Sequence, residues 1–166
     1  YLSMVFNAIF IGFSVGVAPV VSYHYGAGNQ AELRNMKRRC FATVAAFSGT
    51  MFVLALLLAK PLAALFVGYD RELFDLTAHA FLIYSGSFLF FGFTIYTSSF
   101  FTALNNGPVS AAVSFLRTLV FQVAAVFLMP LLMDMEGIWW SVAVAELLAL
   151  CASLCFLKGF QKQYGY

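Results

Sequence analysis

Two opposite charges lie deep inside apolar stretches of this sequence. Arg117 and Glu146 are each about nine residues from the nearer end of such a stretch, which is about 13 Å along a helix. A charge at the centre of a membrane helix costs about 2.5–3.5 kcal/mol on insertion scales, so the two charges favour a pair. The pair is either an ion pair that fixes helix packing or a coupling site for a proton or cation. Pairing alone is enough to explain both residues.

A second motif has the lettering of a hydrolase site. Residues 12–16 read G-F-S-V-G, which matches the G-x-S-x-G nucleophile elbow. That elbow needs a strand–turn–helix, whereas Ser14 lies within an apolar stretch. A histidine base would have to be His24, about 15 Å along the same helix, or the distant His79. An intramembrane serine hydrolase is therefore the least favoured function.

The same stretch carries residues that shape helices. Gly12 and Gly16 form G-x-x-x-G, which is typical of a flat face for close helix contact. Pro19 interrupts the hydrogen-bond ladder in mid-stretch, and such kinks either serve packing or border a transport path.

Aromatic and polar side chains also lie within the apolar stretches. Tyr84, Tyr96 and Gln122 are suited to line a cavity for organic cations, where the rings would supply cation–π contacts. Packing and hydrogen bonds between helices would explain them equally well.

Composition excludes several protein classes. Of 166 residues, 63% are hydrophobic and 10% are charged, against about 25% charged in a typical soluble domain. A soluble cytosolic enzyme domain, a disordered chain and a nucleic-acid binder are excluded, which leaves an integral membrane protein. The net charge of +2 is too small to suggest a charged partner, and the three cysteines predict neither a disulfide framework nor a metal site. We expect no cofactor.

The elements that position these residues are five apolar stretches. Each has at least about 20 residues, enough for a helix to cross a hydrocarbon core of about 30 Å. No alternating strand pattern appears, so the predicted fold is all-α: an antiparallel bundle of five transmembrane helices in one membrane domain, residues 1–166. The predicted spans are 2–25, 40–59, 73–104, 108–133 and 137–158. Helix ends are predicted at Gly26–Asn29, Lys60–Pro61 and Asn105–Gly107.

Charge gives the orientation. Alternation places the 26–39 loop and the C-terminus at one end, which holds six of the nine Lys and Arg residues; the other end holds Lys60 and Arg71. The positive-inside rule makes the 26–39 loop and the C-terminus cytoplasmic. We expect a multi-pass protein of the plasma or bacterial inner membrane.

The ordered motifs resemble a known family. Residues 16–29, G-V-A-P-V-V-S-Y-H-Y-G-A-G-N, are similar to the signature of the multidrug and toxic compound extrusion (MATE) family. Residues 100–107 resemble the end of its tenth helix, and residues 114–117 followed by Pro130 resemble its eleventh. Residues 136–146 resemble the start of its twelfth.

The resemblance implies a fragment of a larger transporter. The five spans would be helices eight to twelve of a twelve-helix protein with two six-helix lobes, so the seventh helix and the N-terminal lobe would be missing partners from the same chain. Such transporters are secondary active antiporters in the lipid bilayer, which export organic cations and drugs in exchange for H⁺ or Na⁺ by alternating access. The resemblance does not extend to a sodium site in 73–104, whose only acid is Asp75 at one end.

A lipid-linked oligosaccharide or polysaccharide flippase of the same superfamily is the alternative. It would favour several basic residues along the cavity to hold a pyrophosphate. Arg117 is the only such residue in the interior of a span, so the flippase ranks second.

Overall fold

The computed structural model describes residues 1–166 and contains helices and no strands. The all-helical prediction is therefore confirmed. The helices are α1 Leu2–Gly26, α2 Gln30–Val67, α3 Arg71–Ser85, α4 Phe91–Ala103, α5 Gly107–Phe115 and α6 Gln122–Tyr164. A 3₁₀ segment, Gly86–Leu89, joins α3 to α4, and a π-helical turn, Leu116–Phe121, joins α5 to α6.

Four helical runs are long and apolar enough to cross a membrane. They are Leu2–Gly26, Gln30–Val67, Arg71–Ala103 and Gly107–Tyr164. The last run has 58 residues, about 87 Å if it were straight, which is far more than one crossing needs.

That last run turns back on itself within α6. Met133 and Asp134 leave the helical conformation, and Asp134 has a φ of 49°. A Cβ on Gly137 would collide with the backbone carbonyl of Met129, so the chain after the break packs against the chain before it. We call the parts of α6 before and after this break its first and second arms. The first arm coincides with the end of the fourth predicted span, and the second arm coincides with the fifth. The number of transmembrane helices stays a prediction.

The helix end predicted at Lys60–Pro61 is wrong. Helix α2 continues through Pro61 to Val67. A proline removes one backbone donor and disturbs the turn before it, but it does not force a helix to stop. At its other end α2 begins at Gln30, where the Asn29 side chain accepts a hydrogen bond from the Glu32 backbone at 3.1 Å.

The third predicted span is one run with an interruption. Between α3 and α4 the hydroxyls of Ser85 and Ser87 donate to the carbonyls of Phe81 and Tyr84, at 2.7 and 2.8 Å. These bonds satisfy carbonyls where the regular helical ladder changes to the 3₁₀ pattern.

The predicted turns meet at one end of the bundle. The Asn106 amide donates to the Tyr164 hydroxyl at 2.9 Å, and the Ser22 hydroxyl donates to the Ala103 carbonyl at 2.9 Å. Loop 26–29, turn 105–107 and the C-terminal residues therefore share one end, as the alternation requires. We call it the basic end, because six cations lie on it.

Close packing of α1 on α4 depends on one glycine. Phe10 is fully buried, and its ring meets the Phe91 ring edge-on at 5.2 Å between centroids. A Cβ on the neighbouring Gly92 would collide with the Phe10 ring. The absence of a side chain at Gly92 lets the two helices approach around this ring pair.

We expect Gly92→Ala to destabilise the fold by about 1–3 kcal/mol, because the new methyl group overpacks a filled core. Gly86→Ala is the matched control, since a Cβ there meets nothing within 4 Å. Thermal unfolding in detergent, followed by circular dichroism, should show a lower midpoint for Gly92→Ala and an unchanged or higher one for Gly86→Ala. Equal midpoints would contradict this account.

Candidate functional site

The two charges within the spans meet in the structure. The Arg117 Nε lies 3.0 Å from each carboxylate oxygen of Glu146, and its terminal Nη2 lies 2.8 Å from Oε1. The side chains are 19% and 9% exposed, so the pair is largely shielded by the bundle. The guanidinium carbon also lies 5.9 Å from the centre of the Phe91 ring.

Local helix distortions position the pair. Arg117 belongs to the π-helical turn Leu116–Phe121, a kind of distortion that recurs at functional sites. The Thr118 hydroxyl of this turn donates to the carbonyl of Ser114 in α5 at 2.7 Å. Phe91 is the first residue of α4, directly after the interruption in the preceding run.

Glu146 comes from the second arm of α6. Its neighbours on the buried side are the small residues Ala143, Ala145 and Ala149, which let the arm pack closely there. The Glu146 carboxylate accepts from Arg117 through both oxygens, so its charge is matched where it lies. A proton or cation would need Arg117 to move away before it could take that place.

An aromatic series connects the pair to Tyr84. The Phe91 ring packs on Phe88 at 5.6 Å between centroids, and Phe88 packs on Tyr84 at 5.6 Å. Tyr84 therefore lies two ring contacts away from Phe91. Gln122 is partly buried and begins α6, immediately after the π-helical turn.

Tyr96 lies in the core and is 2% exposed. Its ring is surrounded by Phe13, Phe41 and Phe100, at centroid distances of 6.3, 5.3 and 5.8 Å. The Tyr96 hydroxyl is buried without a hydrogen-bond partner. The structure has one cavity of about 520 Å³ and another of about 420 Å³. Neither cavity is lined by Tyr84, Tyr96 or Gln122, so the role of these residues in a transport path stays a prediction.

The predicted contact face on α1 is open. Gly12, Gly16 and Pro19 are all exposed, and a Cβ on either glycine would meet nothing within 4 Å. No helix of this chain packs against the two glycines. The contact role of the two glycines stays a prediction, and it requires a surface that residues 1–166 do not supply.

The hydrolase arrangement is not assembled. The Ser14 hydroxyl is buried and has no hydrogen-bond partner, while its carbonyl accepts from the Ser99 hydroxyl at 3.2 Å. His79 contacts Glu136 at 3.3 Å, and His24 lies in the last turn of α1. Neither histidine lies within hydrogen-bond reach of Ser14, as a base for a serine nucleophile would.

One cluster of hydroxyl side chains was not predicted from the sequence. The Ser98 hydroxyl lies 2.9 Å from that of Ser110 and 2.7 Å from that of Ser114, and the Thr102 hydroxyl lies 2.7 Å from that of Ser110. The signal was present, since 98/102 and 110/114 are both spaced by four residues on consecutive helices. This hydroxyl cluster joins α4 to α5, with Ser110 buried and Thr102 and Ser114 at the surface of the chain.

Comparison with known proteins gives two matches. The model of the MatE family matches residues 1–128, a range that includes Arg117 and ends before Glu146. A solved structure of the MATE multidrug transporter DinF-BH, in complex with a ligand, is similar over 99% of this chain, with a TM-score of 0.89 and 22% identity. The chain spans 37% of the length of that transporter. Comparison with curated proteins gave no match.

We expect Arg117→Met to destabilise the protein by about 3–5 kcal/mol, because Glu146 is then buried without its partner. Arg117→Met combined with Glu146→Leu should cost less than either single change. A double-mutant cycle of unfolding free energies in detergent measures this coupling. Additive single effects would mean that the contact contributes nothing to stability.

Proposed function

The chain belongs to the MatE family, and we propose that it forms part of the C-terminal lobe of a secondary active multidrug efflux antiporter. In this proposal the complete transporter exports organic cations and drugs in exchange for H⁺ or Na⁺, by alternating access. The observation that carries the proposal is the family match over residues 1–128, and the likeness of fold over 99% of the chain supports it. The family points to a transporter and not to a typical enzyme.

The charge within the membrane fits a cationic cargo. Arg117 is the only Lys or Arg in the interior of a predicted span, since Lys158 is the last residue of its span, and Glu146 neutralises Arg117. A wall without net positive charge does not repel an organic cation. A flippase for pyrophosphate-linked sugars would instead need free cations to hold its substrate, and the engaged Arg117 does not supply one. The flippase therefore remains the second candidate.

The open face of α1 is where we place the border with the rest of the transporter. Gly12, Gly16 and Pro19 lie exposed on one helix. Two glycines allow close approach of another surface, and a proline leaves the carbonyl one turn earlier without its helical donor. In an alternating-access cycle this helix can bend at Pro19 while the core of the bundle keeps its packing.

We expect the full-length protein to export an organic cation such as ethidium from vesicles when an ion gradient is applied. One set of vesicles carries a pH gradient without sodium, and another carries a sodium gradient at constant pH. Efflux in the first set assigns H⁺ as the coupling ion, and efflux in the second assigns Na⁺. Correctly inserted protein that exports the dye under neither gradient would overturn the antiporter proposal.

We expect Pro19→Ala to lower the rate of dye efflux several-fold while leaving the unfolding midpoint within a few degrees. The change restores one backbone donor to α1 and stiffens the helix where it should bend. Pro61→Ala is the matched control, since Pro61 also lies exposed inside a helix but near the opposite end of the bundle. Equal efflux for both variants and the unchanged protein would rule out a hinge at Pro19.

A further inference from the structure

A groove between α2 and α6 at the basic end has no role in the proposed transport cycle. Its volume is about 420 Å³. Three cations form its rim and three apolar side chains form its floor: Lys37, Arg38 and Lys158, and Phe41, Leu154 and Leu157.

The groove changes character along the bundle axis. On α2, Phe41 lies one turn deeper than Lys37, at a spacing of four residues that places both on one face. On α6, which runs in the opposite direction here, Leu154 lies one turn deeper than Lys158. Each helix therefore presents a cation toward the end of the bundle and an apolar side chain toward its middle.

The length of the second arm of α6 places the cationic rim at the expected depth of lipid headgroups. Lys158 follows Gly137, near the break in α6, by 21 residues, which is about 31 Å of helix. This length matches a hydrocarbon core of about 30 Å, so Lys158 reaches the boundary that faces the basic end.

The cations of the rim have no anionic partner in the chain. The ion pairs of the structure are His79–Glu136 and Arg117–Glu146, and neither lies at the basic end. Glu32, the only acid there, accepts a hydrogen bond from the Asn35 amide at 3.4 Å.

Lys37 is partly buried and lies near another cation. Its ammonium lies 4.4 Å from the centre of the neutral Tyr166 ring. Burial, followed by repulsion from Arg34, lowers the pKa of Lys37 below its usual value. An anion in the groove would relieve this repulsion, whereas no side chain of the protein does so.

An apolar strip continues from the floor toward the membrane interior. Leu147 and Leu154 are 44% and 49% exposed, and Cys151 between them is exposed as well. With Lys158 they are spaced by four, three and four residues, so they follow one face of α6. The strip offers a hydrocarbon chain a continuous surface that starts at the cations.

We propose that this groove binds one anionic phospholipid of the leaflet at the basic end. The lipid phosphate lies among Lys37, Arg38 and Lys158, and an acyl chain lies over Phe41 and Leu154 and along the strip. A cationic rim above an apolar floor matches the two parts of such a lipid. A free phosphate would use the rim alone and leave the floor exposed to water.

Native mass spectrometry of the full-length protein in detergent tests the proposal. Phosphatidylglycerol and phosphatidylcholine with identical acyl chains are titrated separately, and free glycerol 3-phosphate is added as a competitor. We expect phosphatidylglycerol to bind more tightly and glycerol 3-phosphate to compete weakly. Equal binding of the two lipids would overturn the proposal. Competition by glycerol 3-phosphate as strong as that by the lipid would show a phosphate site instead.

Variants locate the binding. Arg38→Gln with Lys158→Gln should weaken phosphatidylglycerol binding on the order of 30-fold, about fivefold for each cation removed. Lys60→Gln with Arg71→Gln is the matched control, because it removes one Lys and one Arg from the opposite end. Equal losses in the two double variants would mean that overall charge, and not the groove, attracts the lipid.

Leu154→Trp tests the floor without changing the charge. The larger side chain occupies the space of the acyl chain, so phosphatidylglycerol binding should fall while the weak competition by glycerol 3-phosphate stays the same. Lipid binding unchanged by Leu154→Trp would remove the floor from the proposed site. Unchanged unfolding midpoints in all variants separate a loss of binding from a loss of fold.

Discussion

Backbone hydrogen bonding without water is the constraint on which the rest of this structure depends. In a bilayer each backbone donor and acceptor must find a partner inside the protein, so the chain stays helical even where its path deviates. The 3₁₀ segment Gly86–Leu89 and the π-helical turn Leu116–Phe121 change the helical pattern without opening the backbone into a loop. Serine and threonine hydroxyls bond to carbonyls at both places. Arg117 lies in the π-helical turn and Phe91 begins the helix that follows the 3₁₀ segment, so the ion pair and the aromatic ring meet beside these deviations.

Turn residues were enough to predict where α1 ends, because Gly26–Asn29 closes its apolar stretch. Hydropathy and turn residues were not enough to predict the internal course of the longer runs. Hydropathy reflects the cost of transferring side chains into lipid, and it does not depend on whether a backbone bond spans three, four or five residues. The π-helical turn therefore has no hydropathy signature. The helix end predicted at Pro61 was wrong for a related reason, because the effect of this proline on α2 depends on the packing around it.

The part of the candidate site that could be predicted from the sequence is the ion pair, because an unpaired charge within the membrane costs free energy. Arg117 and Glu146 carry opposite charges at similar depth on neighbouring spans, and burying either one alone is expensive. Phe91 was not predictable, because its place beside the guanidinium depends on the interruption before α4. The hydroxyl cluster of α4 and α5 required knowledge of which faces meet. For Gly12 and Gly16 the sequence predicts more than the structure contains: their spacing predicts a helix contact, but no helix in this chain supplies it.

The two ends of the bundle differ in their buried contacts. Tyr164 and Tyr166 connect this segment to turn 105–107, to α2 and to the last turns of α6 through buried hydroxyls and rings. At the opposite end, the His79–Glu136 contact is more than half exposed, and Tyr1 and Phe66 border an apolar cavity of about 520 Å³. Local stability follows buried contact density, so amide exchange should be slowest beside the basic end and fastest at the other. The intramembrane ion pair lies between an end with buried aromatic contacts and an end with exposed ones.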